Sequence, residues 1–150
     1  MLDSPVPAGL SPRLAAIVDA LPLRPGLRVL EVGGAPGAAA RAVAERVGDE
    51  GHVLVIDRSP RGVALIERSA AAEISAGRLS VRCVAAEDFE LEPGEPPYDL
   101  AFAVRVGALD GRHAQAGVRA RRRIRAALAS GGRLLIDGGD PVQEVGLDDE

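Results

Sequence analysis

A chain of 150 residues is read as a single domain, 1–150, long enough to bury a real core. Its net charge of −4 and pI near 5.3 argue against nucleic acid as the default partner. The single Cys83 excludes an internal disulfide, and the spacing of Cys and His supports no metal site.

No apolar run approaches membrane-spanning length, and Met1-Leu2-Asp3-Ser4-Pro5 is not a basic region followed by an apolar one. The expectation is a cytoplasmic protein without a membrane partner. Apolar residues make up 47% of the chain but aromatics only 2%, so the core has to be aliphatic and alanine-rich, with helices close to the sheet. Every Lys/Arg position is Arg, a base-composition signature from which no function is drawn.

Pro5, Pro7 and Gly9 make residues 1–9 an irregular arm. Ser11-Pro12 is a helix start, with a capping hydroxyl and a proline in the first turn. Leu14, Ile17, Val18 and Leu21 follow at helical spacing until Pro22 and Pro25 close the segment.

Arg28-Val29-Leu30-Glu31-Val32 then reads as a buried parallel strand. It runs into Gly33-Gly34-Ala35-Pro36-Gly37 and the helix former Ala38-Ala39-Ala40-Arg41-Ala42-Val43-Ala44. Glycine lets a ligand approach the backbone, and the first amides of the helix have no partner inside it, so a polar or anionic ligand group belongs there.

Glu31 through Gly37 resembles motif I of the class I S-adenosylmethionine-dependent methyltransferases, an acidic residue followed by spaced glycines. Ala35 stands where the family's middle glycine usually lies. The dinucleotide fingerprint would require glycine at 33, 35 and 38, and Ala35 and Ala38 break it. The resemblance implies a Rossmann-like, doubly wound, mostly parallel α/β sheet of strand order 3-2-1-4-5. It implies S-adenosyl-L-methionine as cofactor, with Glu31, Gly33, Gly34, Ala35, Pro36 and Gly37 around it and the Glu31 carboxylate suited to its cationic amino group.

His52-Val53-Leu54-Val55-Ile56 is the second strand, ending in Asp57 and Arg58. Asp57 falls 20 residues after Gly37, where a doubly wound fold places a carboxylate on ribose hydroxyls. Its plainer role is to cap the helix starting at Pro60. With Arg58 it joins the cofactor set that the resemblance implies.

Val63, Ile66, Ala70 and Ile74 make one amphipathic crossover helix over 61–76, ended by Gly77. Leu79 to Val84 alternates as an edge strand should. In the family the loop after that strand lies near the adenine, which implicates Ala86 and either Glu87 or Asp88; two solvated loop acids are the alternative. An acidic, proline-rich loop from Leu91 to Pro97 leads to Tyr98-Asp99-Leu100-Ala101-Phe102-Ala103-Val104, which resembles motif IV. Its end, Ala103 to Val106, would then face the reactive end of the cofactor. Arg105 is placed either to hold an anionic group of the acceptor or simply to pair with an acid.

A turn at Asp110-Gly111-Arg112-His113 precedes a helix over 114–130 whose exposed arc carries Arg119, Arg121, Arg122, Arg123 and Arg125. Without interleaved aromatics this is read as a solvated face balanced by acids. Gly131-Gly132 stops the helix, and Arg133 to Gly139 reads as the fifth strand, again like the family.

Only the 140–150 tail remains, so the fold is expected to be C-terminally shortened, with Val142 to Leu147 or the second subunit of a homodimer covering the fifth strand's edge. His113 and Asp137 are the weak candidates for a general base, with Arg105 beside them. The expected function is methyl transfer from S-adenosylmethionine to a small-molecule acceptor by in-line displacement. A non-catalytic or partner-dependent S-adenosylmethionine-binding subunit is the alternative, with an NAD-type oxidoreductase behind it.

Overall fold

The computed structural model describes residues 10–147. The irregular arm expected at 1–9 and the last three residues of the tail lie outside that range.

Helix α1 (Pro12–Ala20) starts as its sequence dictates: the Ser11 hydroxyl accepts the Leu14 N–H at 3.1 Å, and Pro12 occupies the first turn. The chain then alternates strand and helix: β1 (Arg28–Val32), α2 (Ala38–Val47), β2 (His52–Asp57), α3 (Pro60–Ser69), α4 (Ala71–Ser75), β3 (Leu79–Cys83), a 3-10 turn (Ala86–Asp88), β4 (Tyr98–Ala103), α5 (Ala114–Ala127), β5 (Leu128–Asp137) and β6 (Val142–Val145).

One six-stranded sheet results, ordered β3-β2-β1-β4-β5-β6, with every neighbouring pair parallel except β5 and β6. The expected 3-2-1-4-5 order is present. Val142 to Val145 pair antiparallel with Leu134 to Asp137 and cover the edge for which a second subunit was the alternative.

Alternate residues of the central strands go to opposite faces of the sheet, as the two-residue period requires. Val29, Val53, Val55, Phe102 and Leu135 join α1, α2 and α3 in one apolar layer. Leu30, Leu54, Ile56, Ala101 and Leu134 join Ala120, Ile124 and Ala127 of α5 in the other. Both phenylalanines and the single tyrosine are buried. With so few large rings, α2 fills its contact with Ala39, Ala40, Val43, Ala44 and Val47, and alanine brings its axis close to the sheet.

Two boundaries depart from the periodicity. The single helix expected over 61–76 breaks at Ala70, which is fully buried, and the preceding Ser69 hydroxyl donates to the Pro36 carbonyl of the glycine loop. The last helix ends at Ala127 rather than Ser130, because Leu128 already pairs with Tyr98. Strand β5 then bulges through Gly131, at φ +82°, and regains register at Arg133 opposite Leu100. The glycine pair expected to stop the helix lies inside that bulge.

The loop before β4 is organised by Glu95, whose carboxylate accepts from the Tyr98 hydroxyl at 2.6 Å, Arg82 at 3.0 Å and the Glu92 N–H at 2.8 Å. Burial raises the Glu95 carboxyl pKa, but these donors outweigh it and hold it below the usual value. On the arginine-rich arc of α5, Arg119 meets Asp88 at 3.0 Å, Arg123 meets Glu90 at 3.5 Å, and Arg125 donates to the Leu147 carbonyl. That face has acidic neighbours, as the sequence reading expected.

Candidate cofactor site

The carboxyl ends of β1, β2 and β4 open into two adjoining clefts of about 620 and 420 Å³. Gly33 and Arg105 line both, so the two hollows meet at the point where the chain leaves β1 in one direction and β4 in the other.

Local backbone demands explain the glycines. Gly33 and Gly37 adopt φ of +70° and +107°, in the left-handed region where a Cβ is strained. Gly34 is required for space: a Cβ there would lie 2.7 Å from both the Glu31 Cδ and a Val55 methyl. Gly37 is the N-cap of α2, and no side chain caps that end, so the first-turn amides are left for another partner. Ala38 and Ala39, which carry two of them, line the smaller cleft together with Gly34, Ala35 and Pro36.

Ala35 departs from the glycine pattern without closing the site. A Cβ placed on Gly62 of α3 would lie 2.9 Å from Asp57 Oδ1 and 3.2 Å from the Ala35 methyl, so the absence of a side chain at 62 leaves room for both. Sequence reasoning missed Gly62. Its signal was a glycine inside an otherwise regular helix, a position that weakens the helix unless something approaches closely.

Asp57 closes the tip of β2. One carboxylate oxygen accepts the Ser59 N–H at 3.0 Å, and the other lies 3.4 Å from the Ala35 N–H, so the residue touches the glycine loop while lining the larger cleft. Arg58, Ala86 and Glu87 line the same cleft. Asp88 points elsewhere, to Arg119, which separates the two acids that the sequence could not. Ala103 is buried in the core layer on the α5 side and lines neither cleft; the walls there are Val104, Arg105 and Val106.

Among the described residues Glu31 is the one charged side chain in the core, 3% exposed, on the floor of the smaller cleft. Its Oε1 is buried with no hydrogen-bond partner. Burial, with a smaller push from the negative charge of Asp57, raises its carboxyl pKa to about 8, so at neutral pH it is held as the neutral acid.

Arg105 follows β4 at φ +58°, an unusual backbone for a residue with a Cβ. Its N–H donates to Asp137 at 3.0 Å, and its carbonyl accepts from Arg112 at 3.3 Å. Asp137 also pairs with Arg13 of α1 at 3.0 Å. Partial burial pushes the Asp137 carboxyl upward, but the Arg105 N–H and the Arg13 guanidinium win and hold it below its ordinary range. Both of its oxygens are thus engaged, which ill suits a base. His113, Arg105 and Arg112 all line the larger cleft. Arg13 and Arg112 carried no local pattern that would have marked them.

The family profile described as "Methyltransferase domain" matches residues 29–132, which covers β1 through the glycine bulge of β5. This chain belongs to that methyltransferase family. Similar curated proteins include the protein-L-isoaspartate O-methyltransferase of Methylorubrum populi, 34% identical over 93% of this chain and 60% of its own length. The protein of the same name from Ignicoccus hospitalis is 36% identical over 65% of this chain and 47% of its own length. The chain spans about half the length of the curated relatives it matches. Among solved structures, an S-adenosylmethionine-dependent O-methyltransferase of Thermotoga maritima superposes with a TM-score of 0.64 at 20% identity, covering 82% of this chain and 42% of that one.

The class I methyltransferase fold expected from motif I is therefore established, and the nicotinamide oxidoreductase alternative falls away. S-adenosylmethionine is the cofactor of this family, and the candidate site fits it on three structural grounds. A glycine cradle that a Cβ would fill lies at 34, uncapped amides open α2, and the buried, unpartnered Glu31 Oε1 lies at the floor of the cleft, where a cation would satisfy it.

Proposed function

We propose that the protein transfers the methyl group of S-adenosylmethionine to a carboxylate oxygen of an acceptor carried on a peptide. The observation that carries this reading is Arg105, a cation at the junction of the two clefts whose backbone is clamped from both sides. A guanidinium carried on that held backbone suits a carboxylate through paired hydrogen bonds, and Arg112 and His113 line the cleft beside it.

The cofactor would lie with its amino-acid end over Glu31, Gly34 and the start of α2. Its ribose would lie by Asp57, and its adenine by Ala86 and Glu87. When bound it would supply an electrophilic methyl group on a sulfonium, open to in-line attack by an acceptor oxygen with the thioether as leaving group. An acceptor carboxylate is ionised at neutral pH, so no base has to remove a proton. That agrees with an Asp137 whose oxygens are committed to Arg105 and Arg13. What the residues contribute is positioning, which can supply much of the acceleration of a displacement.

The names of the similar proteins support a protein-borne carboxylate over the free small molecule expected from sequence. The test is transfer of labelled methyl from S-adenosylmethionine to a peptide carrying an isoaspartyl residue, with free aspartate and simple phenols as competitors. A base-labile methyl ester on the peptide is the expected product. Label on a phenol alone would overturn the carboxylate reading, and cofactor binding with no transfer to any acceptor would favour the partner-dependent subunit.

A further inference from the structure

A carboxyl group that is nearly sealed from solvent, with one oxygen lacking any donor, is a costly thing to bury as an anion. Glu31 is in that position, and its neighbours do little to relieve it. Val55 on β2 and Phe102 on β4 flank it in the sheet and are apolar. Ala38 and Ala39 of α2 bring backbone amides and no charge. Asp57, at the tip of β2, adds negative charge. The two cations lining the same cleft are Arg13, already paired with Asp137, and Arg105, which is exposed. Without a ligand cation beside it, the group therefore favours the neutral acid. A ligand ammonium at its floor would reverse that preference, because an opposite charge at contact distance in a water-poor site stabilises the anion strongly.

We propose that Glu31 couples ligand binding to proton release: the O–H of its carboxyl group is broken when an ammonium-bearing ligand enters the cleft, the proton leaves to solvent, and the carboxylate remains as counter-ion. The inference rests on the cofactor reading above and deepens it, since it concerns how that site is charged before and after loading. Its consequence is an affinity that climbs with pH through the neutral range. A carboxyl held protonated to about pH 8 in the ligand-free protein makes affinity rise roughly ninefold from pH 6 to pH 7, as each bound ligand displaces about one proton.

The experiment is titration calorimetry of the whole chain with S-adenosylhomocysteine and, separately, with 5′-methylthioadenosine, which shares the nucleoside and thioether but has no amino group. Each is run at neutral pH in phosphate and in Tris, whose ionisation enthalpies differ. With S-adenosylhomocysteine the heat should depend on the buffer as release of about one proton requires, and the affinity should rise with pH. With methylthioadenosine both dependences should vanish.

The Glu31→Gln variant should bind S-adenosylhomocysteine more weakly, with no buffer dependence. Should that variant fail to fold, the comparison of the two ligands on the wild type still decides. Binding of S-adenosylhomocysteine with buffer-independent heat overturns the proton coupling and leaves the cofactor reading intact. Binding of neither compound at any pH overturns the cofactor reading and the coupling with it.

Discussion

Replacing Glu31 with Gln removes the ionisable proton while keeping the shape of the side chain, which makes the ligand-free protein a direct readout of the buried acid. The folded state holds that proton up to about pH 8, whereas the same group in an unfolded chain loses it near 4.5. The folded form binds the proton more tightly, so the stability this group contributes is complete below the unfolded value and is lost as pH rises toward 8.

Inside that window each pH unit costs about 1.4 kcal/mol. Between pH 6 and pH 8 the wild type should therefore lose roughly 2 kcal/mol relative to Glu31→Gln, all other groups being common to both. With a urea m-value of about 2 kcal/mol/M, the gap between the two unfolding midpoints should change by roughly 1 M. Urea unfolding of both proteins at matched ionic strength, at several pH values, measures it. Two midpoint curves that run parallel from pH 6 to pH 8 would refute the claim that the acid is buried uncharged.

Other perturbations test the neighbouring parts of the site. Gly34→Ala places a methyl 2.7 Å from the Glu31 Cδ and a Val55 methyl, so thermal unfolding should show a loss of about 1–3 kcal/mol; an unchanged melting temperature would mean the loop yields. Asp57→Ala removes a carboxylate from the wall of the larger cleft, and calorimetry should show S-adenosylhomocysteine binding weakened by about 1.5–3 kcal/mol, the worth of a hydrogen bond to a charged group. Arg105→Gly relieves a positive φ whose cost to an L-residue is about 1–2 kcal/mol. It should leave the melting temperature equal or higher while abolishing peptide methylation, and a lower one would contradict the strain. Truncation after residue 141 removes β6, and hydrogen exchange should quicken at the β5 amides that face it, with self-association visible in light scattering.

The chain itself determined the alternation of strands and helices, because a buried parallel strand and an amphipathic helix have different apolar periods and each is punctuated here by Gly, Pro or Ser. It also marked the candidate site: Gly33 to Gly37 and Asp57 are local patterns, legible wherever a strand hands over to a helix. Motif I marked the family because Gly33 and Gly37 answer a local backbone requirement, a positive φ, whereas the need for Gly34 appears only once Val55 of the neighbouring strand packs beside it.

Tertiary structure decided what depends on meeting across the sheet. That Glu87 rather than Asp88 lines the cleft follows from Arg119, 31 residues away, capturing the other acid. That Asp137 clamps Arg105 instead of waiting as a base follows from the ends of β4 and β5 lying side by side with α1 above them. Gly62 makes room for Ala35 only because α3 crosses the loop. The neutral state of Glu31 depends on how completely its neighbours exclude water, a property of the packed layers and of no stretch of sequence.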